Sequence, residues 1–182
     1  MEYVLNLNSD ENSIFYARID KDNIGVAGHS QGGCAVLNAI TRFGNSDIYK
    51  AAYVASATTE TMIKNWKLHD FVYQIDKVGI PLFMVAATGK TDSETISPLE
   101  DMQKNFDKLN DSIIAVMGRR NESDHGDMLA NADGYMTAWF MWHLQNDEEA
   151  SNVFVGNSAE ILENDNWQDV KKQNTEQCNY TR

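Results

Sequence analysis

The segment from Gly28 to Gly33 constrains the fold of this chain more than any other feature. It has the sequence Gly-His-Ser-Gln-Gly-Gly, follows the apolar run 24–27 and precedes a helix-forming stretch that begins at Cys34. A G-x-S-x-G sequence between a strand and a helix is typical of a nucleophile elbow, a tight turn of strained backbone that small flanking residues make possible. The pattern therefore predicts that Ser30 is a catalytic nucleophile. The alternative is a glycine-rich turn with an incidental serine.

A serine hydroxyl is a poor nucleophile at neutral pH and needs a base and an orienting acid, here in the order serine, acid, histidine. The continuous apolar run 81–87 predicts a buried strand, and Asp92 follows its carboxyl end. A second strand-like run, 112–117, precedes a polar loop that contains His125. Open α/β sheets carry their sites at the carboxyl ends of strands. We therefore predict Asp92 as the acid and His125 as the general base.

Three other histidines compete with His125 for the role of base. His29 lies inside the elbow, His69 lies in a polar segment, and His143 lies in an aromatic helix. For His143, a role in packing or on the helix surface is the simplest interpretation. His125 is favoured because its loop follows a strand at the same edge of the sheet.

Three other carboxylates compete with Asp92 for the role of acid. Glu94 is its neighbour along the chain, and Asp124 or Asp127 could hold His125 from its own loop. Asp92 is favoured because the position directly after the strand decides reach more than chemistry does. For Glu94 and Asp124, a carboxylate in a surface loop is the simpler interpretation.

Strands and helices alternate along the chain, as a doubly wound parallel sheet requires. The predicted strands cover 23–27, 51–56, 81–87 and 112–117, and the predicted helices cover 31–43, 98–109 and 132–145. The fold class is therefore α/β, with a mostly parallel sheet.

Two segments have less distinct patterns. Residues 58–79 favour either a short helix or a flexible loop on the substrate side. The region after Leu144 is expected to be a tail whose chief apolar anchors are Phe154-Val155 and Ile161-Leu162. We expect its last residues, from Asn174, to fray.

From Asn23 to Leu144 the chain resembles the C-terminal half of an α/β-hydrolase. The resemblance is to the chlorophyllase-like, dienelactone-hydrolase-like and polyester-hydrolase (cutinase-like) group, in which G-H-S-Q-G-G or G-H-S-M-G-G forms the elbow. It implies hydrolysis of small or polymeric carboxylic esters without a cofactor or metal. The triad positions fall on Ser30, Asp92 and His125, and one oxyanion position falls on the backbone N–H of Gln31.

The same resemblance implies two substrate-binding residues. In the polyester hydrolases the residue at the position of His29 lines the acyl pocket, and a tryptophan after the next strand forms its wall. Trp66 is the only tryptophan near that loop in this chain, although it lies further along than the resemblance implies. An ordinary packing role is the alternative for Trp66.

The resemblance also implies a truncated fold. A complete α/β-hydrolase has several strands before the elbow strand, and the loop after the third strand donates the second oxyanion N–H. We expect a single truncated domain over 1–182, with a remnant helix and loop at 1–22, a catalytic core at 23–145 and a C-terminal tail at 146–182. The elbow strand would then lie at the edge of the sheet, so we expect a homodimer through that edge. The alternative function is a catalytically weak or inactive hydrolase fragment that folds only as an oligomer.

Composition limits the partners. A formal net charge of -12 argues against nucleic acid and anionic membranes, because both are bound by lysine and arginine patches. Cys34 and Cys178 have no metal-ligand spacing, and Cys34 is expected to be a small core residue. The acidic composition implies a soluble protein, cytoplasmic or secreted, and the chain shows no long apolar span and no signal peptide.

Overall fold

The computed structural model describes residues 2–42 and 47–176. One five-stranded sheet runs through these residues in the order β1-β2-β3-β4-β5. Its strands are β1 Ile24–His29, β2 Tyr49–Ala55, β3 Leu82–Ala87, β4 Ala115–Arg120 and β5 Trp167–Gln173. The first four strands are parallel, and β5 is antiparallel to β4. The predicted α/β class with a mostly parallel sheet is confirmed.

Helices connect the parallel strands and flank the sheet. The α-helices are α1 Glu2–Ser9, α2 Gln31–Thr41, α3 Glu60–Asn65, α4 Leu99–Phe106, α5 Met128–Asn131, α6 Asp133–Gln145, α7 Glu148–Ser151 and α8 Glu160–Glu163. Short 3₁₀-helices cover His69–Phe71, Ile75–Lys77 and His125–Asp127, and a π-helical turn covers Asp92–Ile96. None of these helices combines the length and the apolar character needed to cross a bilayer.

The sheet is buried on both faces, which explains the unbroken apolar runs of its central strands. On one face Val54 and Met84 belong to the same core cluster as Leu37 of α2. On the other face Phe83 packs against Trp139 of α6, with ring centroids 5.5 Å apart. Successive residues of β3 thus point to opposite sides, and helices cover both sides as a doubly wound sheet requires.

β4 begins and ends three residues later than predicted. The side chain of Asn110 accepts hydrogen bonds from the backbone N–H and the hydroxyl of Ser112, and this turn delays the start of the strand. At the other end, Arg119 pairs with Asp169 of β5, with Nη2 2.7 Å from Oδ2. The strand therefore continues through arginines that an apolar pattern does not predict.

The sequence predicted only a C-terminal tail over residues 167–176, whereas the structure has a strand and a hydrogen-bonded segment there. Trp167 is 6% exposed, and its strand β5 pairs with β4. The side-chain amide of Asn174 donates to the carbonyl of Asp111 at 2.7 Å, and the carbonyl of Thr175 accepts from Gly156 at 2.8 Å. Residues 174 and 175 are thus bonded to the fold instead of frayed, and 177–182 lie outside the described residues.

The predicted anchors of the C-terminal region are partly confirmed. Phe154 and Ile161 are fully buried, whereas Leu162 is exposed. Cys34 is buried as predicted, and its thiol donates to the carbonyl of Thr58 at 3.2 Å. Cys178 lies outside the described residues.

The remaining predictions concern element boundaries and the N-terminal segment. Residues 58–79 contain the short helix α3, and α2 ends at Thr41, with the predicted end at Phe43 lying outside the described residues. A helix is confirmed near the start of the chain, but α1 buries none of its residues. Within the described residues β1 pairs only with β2, so its other side is an edge.

Candidate active site

Ser30 occupies a sharp turn between β1 and α2. Its backbone has φ 58° and ψ -123°, in a region that costs a non-glycine residue about 1–3 kcal/mol. Two hydrogen bonds hold the turn: Ser30 N–H donates to the carbonyl of Ala55 at 2.9 Å, and the carbonyl of Ser30 accepts from Gly33 N–H at 3.0 Å. The strained strand-to-helix turn predicted from the sequence is therefore present.

At two of the three glycines around Ser30 there is no room for a Cβ atom. A Cβ atom on Gly28 would overlap the carbonyl oxygen of Gly32, and one on Gly33 would lie 2.9 Å from the Cβ of Ala57. A Cβ atom on Gly32 would meet nothing within 4 Å. The expectation that small residues on both sides make room for the turn holds for Gly28 and is wrong for Gly32.

His125 lies between Ser30 and Asp92. Its Nε2 is 3.0 Å from Ser30 Oγ, and its Nδ1 is 2.7 Å from Asp92 Oδ1. Because an ionised carboxylate only accepts, Nδ1 carries the proton and Nε2 is free to accept from the serine hydroxyl. The residues predicted as nucleophile, base and acid thus form one continuous line of hydrogen bonds.

Asp92 is fully buried at the start of the π-helical turn after β3. Besides His125 on Oδ1, its Oδ2 accepts from the hydroxyl of Ser56 at 2.5 Å and from the N–H of Ala87 at 2.8 Å. Three donors therefore compensate the burial of one negative charge, which would be unfavourable without them.

The competing carboxylates do not contact the imidazole of His125. Glu94 is exposed and lies 3.9 Å from Lys90 Nζ. The side chain of Asp127 accepts from the N–H of Asp124 at 2.9 Å.

Asp124 joins the loop that carries Asp92 to the turn that carries His125. Its carboxylate accepts from the N–H and hydroxyl of Thr91 and from the N–H groups of Asp92 and His125. The hydrogen bond from the Thr91 hydroxyl is the main cause that lowers the pKa of Asp124. This role was missed, although Asp124 and Asp127, three apart, are the two partners of a capping box.

His29 contacts His125 from the elbow side. Its Nε2–H donates to the backbone carbonyl of His125 at 2.8 Å, and the two ring centroids are 4.5 Å apart. His29 also lines an apolar cavity of about 220 Å³ together with Tyr53, Met128 and Met136. Trp66 does not line this cavity and is 61% exposed at the end of α3, so the two predicted substrate-binding residues are not brought together.

The N–H of Gln31 lies at the start of α2. Gln31 is the first residue of the helix, so its N–H has no acceptor within the helix. None of the hydrogen bonds among residues 2–42 and 47–176 uses it. The partial positive charge at the start of the helix strengthens this N–H as a donor to a negative oxygen. Gln31 directly follows Ser30 in the sequence.

The remaining histidines lie away from this site. His143 lies between Trp139 and Trp142, with ring centroids 4.2 and 4.1 Å away, and burial lowers its pKa to about 3. This neutral packing role agrees with its prediction. His69 begins a 3₁₀-helix and is exposed. In the part of the chain that the structure describes, no three histidine, cysteine or acidic side chains are grouped to hold a metal ion.

The solved structures that are similar to this chain include a peptidase and a hydrolase. An acylaminoacyl peptidase from Pyrococcus horikoshii matches 81% of this chain with 27% of its own length, a TM-score of 0.61 and 17% identity. A puromycin hydrolase matches 79% of this chain with 24% of its own length, a TM-score of 0.56 and 11% identity. The chain has the fold of the C-terminal part of an α/β-hydrolase.

The extent of this similarity limits what it implies. The chain spans about a quarter of the length of these two proteins. No family profile and no curated protein sequence matches it. The similarity supports the α/β-hydrolase fold, whereas the narrower chlorophyllase-like and cutinase-like group stays a prediction.

Proposed function

We propose that this chain is a serine hydrolase that cleaves carboxylic esters through an acyl-enzyme. The line of hydrogen bonds from Ser30 through His125 to Asp92 is the observation that carries the proposal. The strained backbone of Ser30 supports it independently, because strain at a single non-glycine residue persists where the surrounding structure maintains it and is concentrated at functional sites.

In the proposed reaction, Ser30 Oγ attacks the carbonyl carbon of the ester, and its proton passes to His125 Nε2. The tetrahedral intermediate collapses when His125 returns that proton to the leaving alcohol, which leaves an acyl group on Ser30. Water then attacks the acyl group and gives a proton to Nε2, and collapse to the acid returns that proton to Ser30. Asp92 holds the imidazole in the required tautomer and stabilises its positive charge throughout.

The negative oxygen of the tetrahedral intermediate needs donors. The Gln31 N–H is the proposed donor within the described residues, and the start of α2 adds a favourable dipole. Loss of one such donor costs about 10²–10³-fold in rate. The rate of the isolated chain therefore depends on whether a second donor is supplied.

Ester cleavage is proposed ahead of amide cleavage because the expected resemblance is to ester hydrolases. The two similar structures are named as a peptidase and a puromycin hydrolase, so amides belong in the same assay. The apolar cavity beside His29 is a candidate site for the acyl or leaving group.

The test combines a covalent probe with a substrate series. The chain is treated with a fluorophosphonate and, separately, with p-nitrophenyl esters of increasing acyl length and matching p-nitroanilides. We expect labelling of Ser30, burst release of p-nitrophenol and neither result for Ser30→Ala. Labelling with turnover of anilides alone would replace the ester by an amide substrate. A folded chain that shows neither labelling nor release would favour the inactive fragment.

The pH profile tests the role of the base. His125 must be neutral to accept a proton from Ser30, so hydrolysis should be lost in acid and rise with pH. Addition of a chelator should leave the rate unchanged, and restoration by zinc of a chelated, inactive chain would contradict the serine mechanism.

A further inference from the structure

Ser56 contacts the oxygen of Asp92 that faces away from His125. It directly follows β2 and is fully buried. Its hydroxyl lies 2.5 Å from Asp92 Oδ2, whereas His125 uses Oδ1. Because an ionised carboxylate accepts only, the hydroxyl of Ser56 is the donor of this hydrogen bond.

The backbone at Ser56 is strained. Its φ is +44°, in the left-handed region that glycine adopts at no steric cost. The Ser56 N–H donates to the carbonyl of Val85 at 2.7 Å, which ties the strained residue to β3. Ser56 therefore has a backbone conformation that favours glycine, yet its side chain provides a hydroxyl that contacts the carboxylate of Asp92.

The orientation of the Asp92 carboxylate depends on its donors. The last torsion of an aspartate is broad, so packing alone does not set the plane of the carboxylate. Ser56 and the Ala87 N–H hold Oδ2, and this leaves Oδ1 directed at His125 Nδ1. An imidazole held in this way keeps Nε2 directed at Ser30.

We propose that Ser56 is a positioning residue of the Ser30 site, whose hydroxyl fixes the plane of the Asp92 carboxylate and thereby the tautomer and orientation of His125. This inference rests on the proposed function. It adds a fourth side chain to the hydrogen-bonded line, one that acts through Asp92 and does not touch the substrate.

The test uses two readouts on Ser56→Ala and Ser56→Gly. The first is the rate of Ser30 labelling by a fluorophosphonate together with the kcat and KM of ester hydrolysis. The second is the proton NMR signal of the His125 Nδ1–H, which a hydrogen bond to a carboxylate moves far downfield. We expect kcat and the labelling rate to fall about tenfold or more with little change in KM, because misplaced catalytic groups lower the rate of the chemical step.

The Nδ1 proton signal should weaken in both variants, because a carboxylate that rotates protects this proton less from exchange with water. The two variants separate the hydroxyl from the strain. Alanine keeps the backbone strain and glycine relieves it, so Ser56→Gly should be the more stable protein while both lose function alike. If Ser56→Gly keeps the labelling rate and kcat of the unmodified chain, the hydroxyl is not needed and the proposal is overturned.

Ser97 supplies the matched control. It is also buried, and its hydroxyl donates to the carbonyl of Ala57 at 3.0 Å and not to Asp92. Ser97→Ala should lose stability without changing the Nδ1 proton signal or the labelling rate.

The outcomes also separate this proposal from the proposed function. If the unmodified chain shows the downfield proton but no labelling, the proposed function fails and the proton signal of Ser56→Ala still decides the role of Ser56. If that signal is unchanged in Ser56→Ala, the positioning role is wrong. Labelling of an unmodified chain that lacks the downfield proton would overturn the positioning role and leave the proposed function standing.

Discussion

Thr91 donates two hydrogen bonds to the carboxylate of Asp124, from its backbone N–H at 3.0 Å and from its hydroxyl at 2.8 Å. These bonds join the loop after β3 to the loop after β4. Gly89 permits the approach, because a Cβ atom there would lie 2.6 Å from the Asp124 side chain. The acid and the base of the candidate site are therefore linked by a second carboxylate, that of Asp124, which contacts neither imidazole nitrogen.

This link should make the fold sensitive to acid. The pKa of Asp124 in the folded chain lies below its ordinary value of 3.8, so its ionised form stabilises the fold above about pH 4. That stabilisation is lost as the pH falls through the lowered pKa. Asp124→Asn should therefore be less stable than the unmodified chain at neutral pH, with a difference that shrinks below pH 4.

Thermal unfolding followed from pH 7 to pH 2 measures the Asp124 effect. Glu122→Gln, which removes an exposed carboxylate from the same loop, should show no such convergence. A stability gap for Asp124→Asn that stays constant over this range would contradict the prediction.

The two glycines that flank the elbow should respond differently to the same substitution. Gly28→Ala places a Cβ atom on the backbone of Gly32 and should displace the turn, so Ser30 loses its reaction with a fluorophosphonate. Gly32→Ala adds its Cβ atom to open space at the start of a helix. It should keep the reaction and gain up to about 1 kcal/mol of stability, because alanine is the better helix former. Equal loss of labelling in both variants would show that the elbow tolerates neither.

The choice of acid is tested by two conservative substitutions. Asp92→Asn keeps the shape of the side chain but removes the charge that holds His125, and should lower kcat by about 10⁴-fold. Glu94→Gln should leave kcat unchanged, because Glu94 is exposed and pairs with Lys90 at 3.9 Å. The assignment is wrong if ester hydrolysis survives in Asp92→Asn and disappears in Glu94→Gln.

The C-terminal strand should be necessary for stability. Trp167 is 6% exposed and packs on Tyr135 with ring centroids 4.8 Å apart, so Trp167→Ala should cost about 3–5 kcal/mol in the free energy of unfolding. Trp66→Ala removes a side chain that is 61% exposed and should change stability by no more than about 0.5 kcal/mol. Urea denaturation of both variants measures the difference. A Trp167→Ala protein as stable as Trp66→Ala would mean that β5 contributes little.

We propose that the chain associates with a second copy of itself through the free side of β1. Within the described residues this strand has no partner beyond β2, and the apolar side chains of Tyr3 and Ile14 are more than 70% exposed nearby in the sequence. We expect a homodimer through the β1 edge, measured by light scattering at micromolar concentration.

Ala27→Lys tests this edge, because Ala27 is exposed in the middle of β1 and an edge lysine opposes strand pairing. The substitution should shift the chain toward monomer even though it makes the net charge less negative. The proposal is contradicted if the unmodified chain folds cooperatively as a monomer. It is also contradicted if the chain forms a dimer that Ala27→Lys leaves intact.

Local signals in the sequence were sufficient for the elbow and the parallel strands. The sequence signals of the turn at Ser30 lie within three positions of it: they are the glycines and the change from a strand pattern to a helix pattern. Asp92 and His125 were predictable because the carboxyl ends of parallel strands meet at one edge of the sheet, so position along the chain implies proximity. The apolar runs of β2 and β3 identify them as central strands for the same local reason.

Only the tertiary structure decided the contacts between distant segments. Ser56 is 36 residues from Asp92 and has the φ of a glycine, so no local pattern marks it as a hydrogen-bond donor to the acid. β5 carries few apolar residues. Its Asp169 pairs with Arg119 of β4, fifty residues away, and this partner stabilises a polar strand. A polar residue that is satisfied by a partner far along the chain leaves no periodic signal, and its role appears only when the strands are brought together.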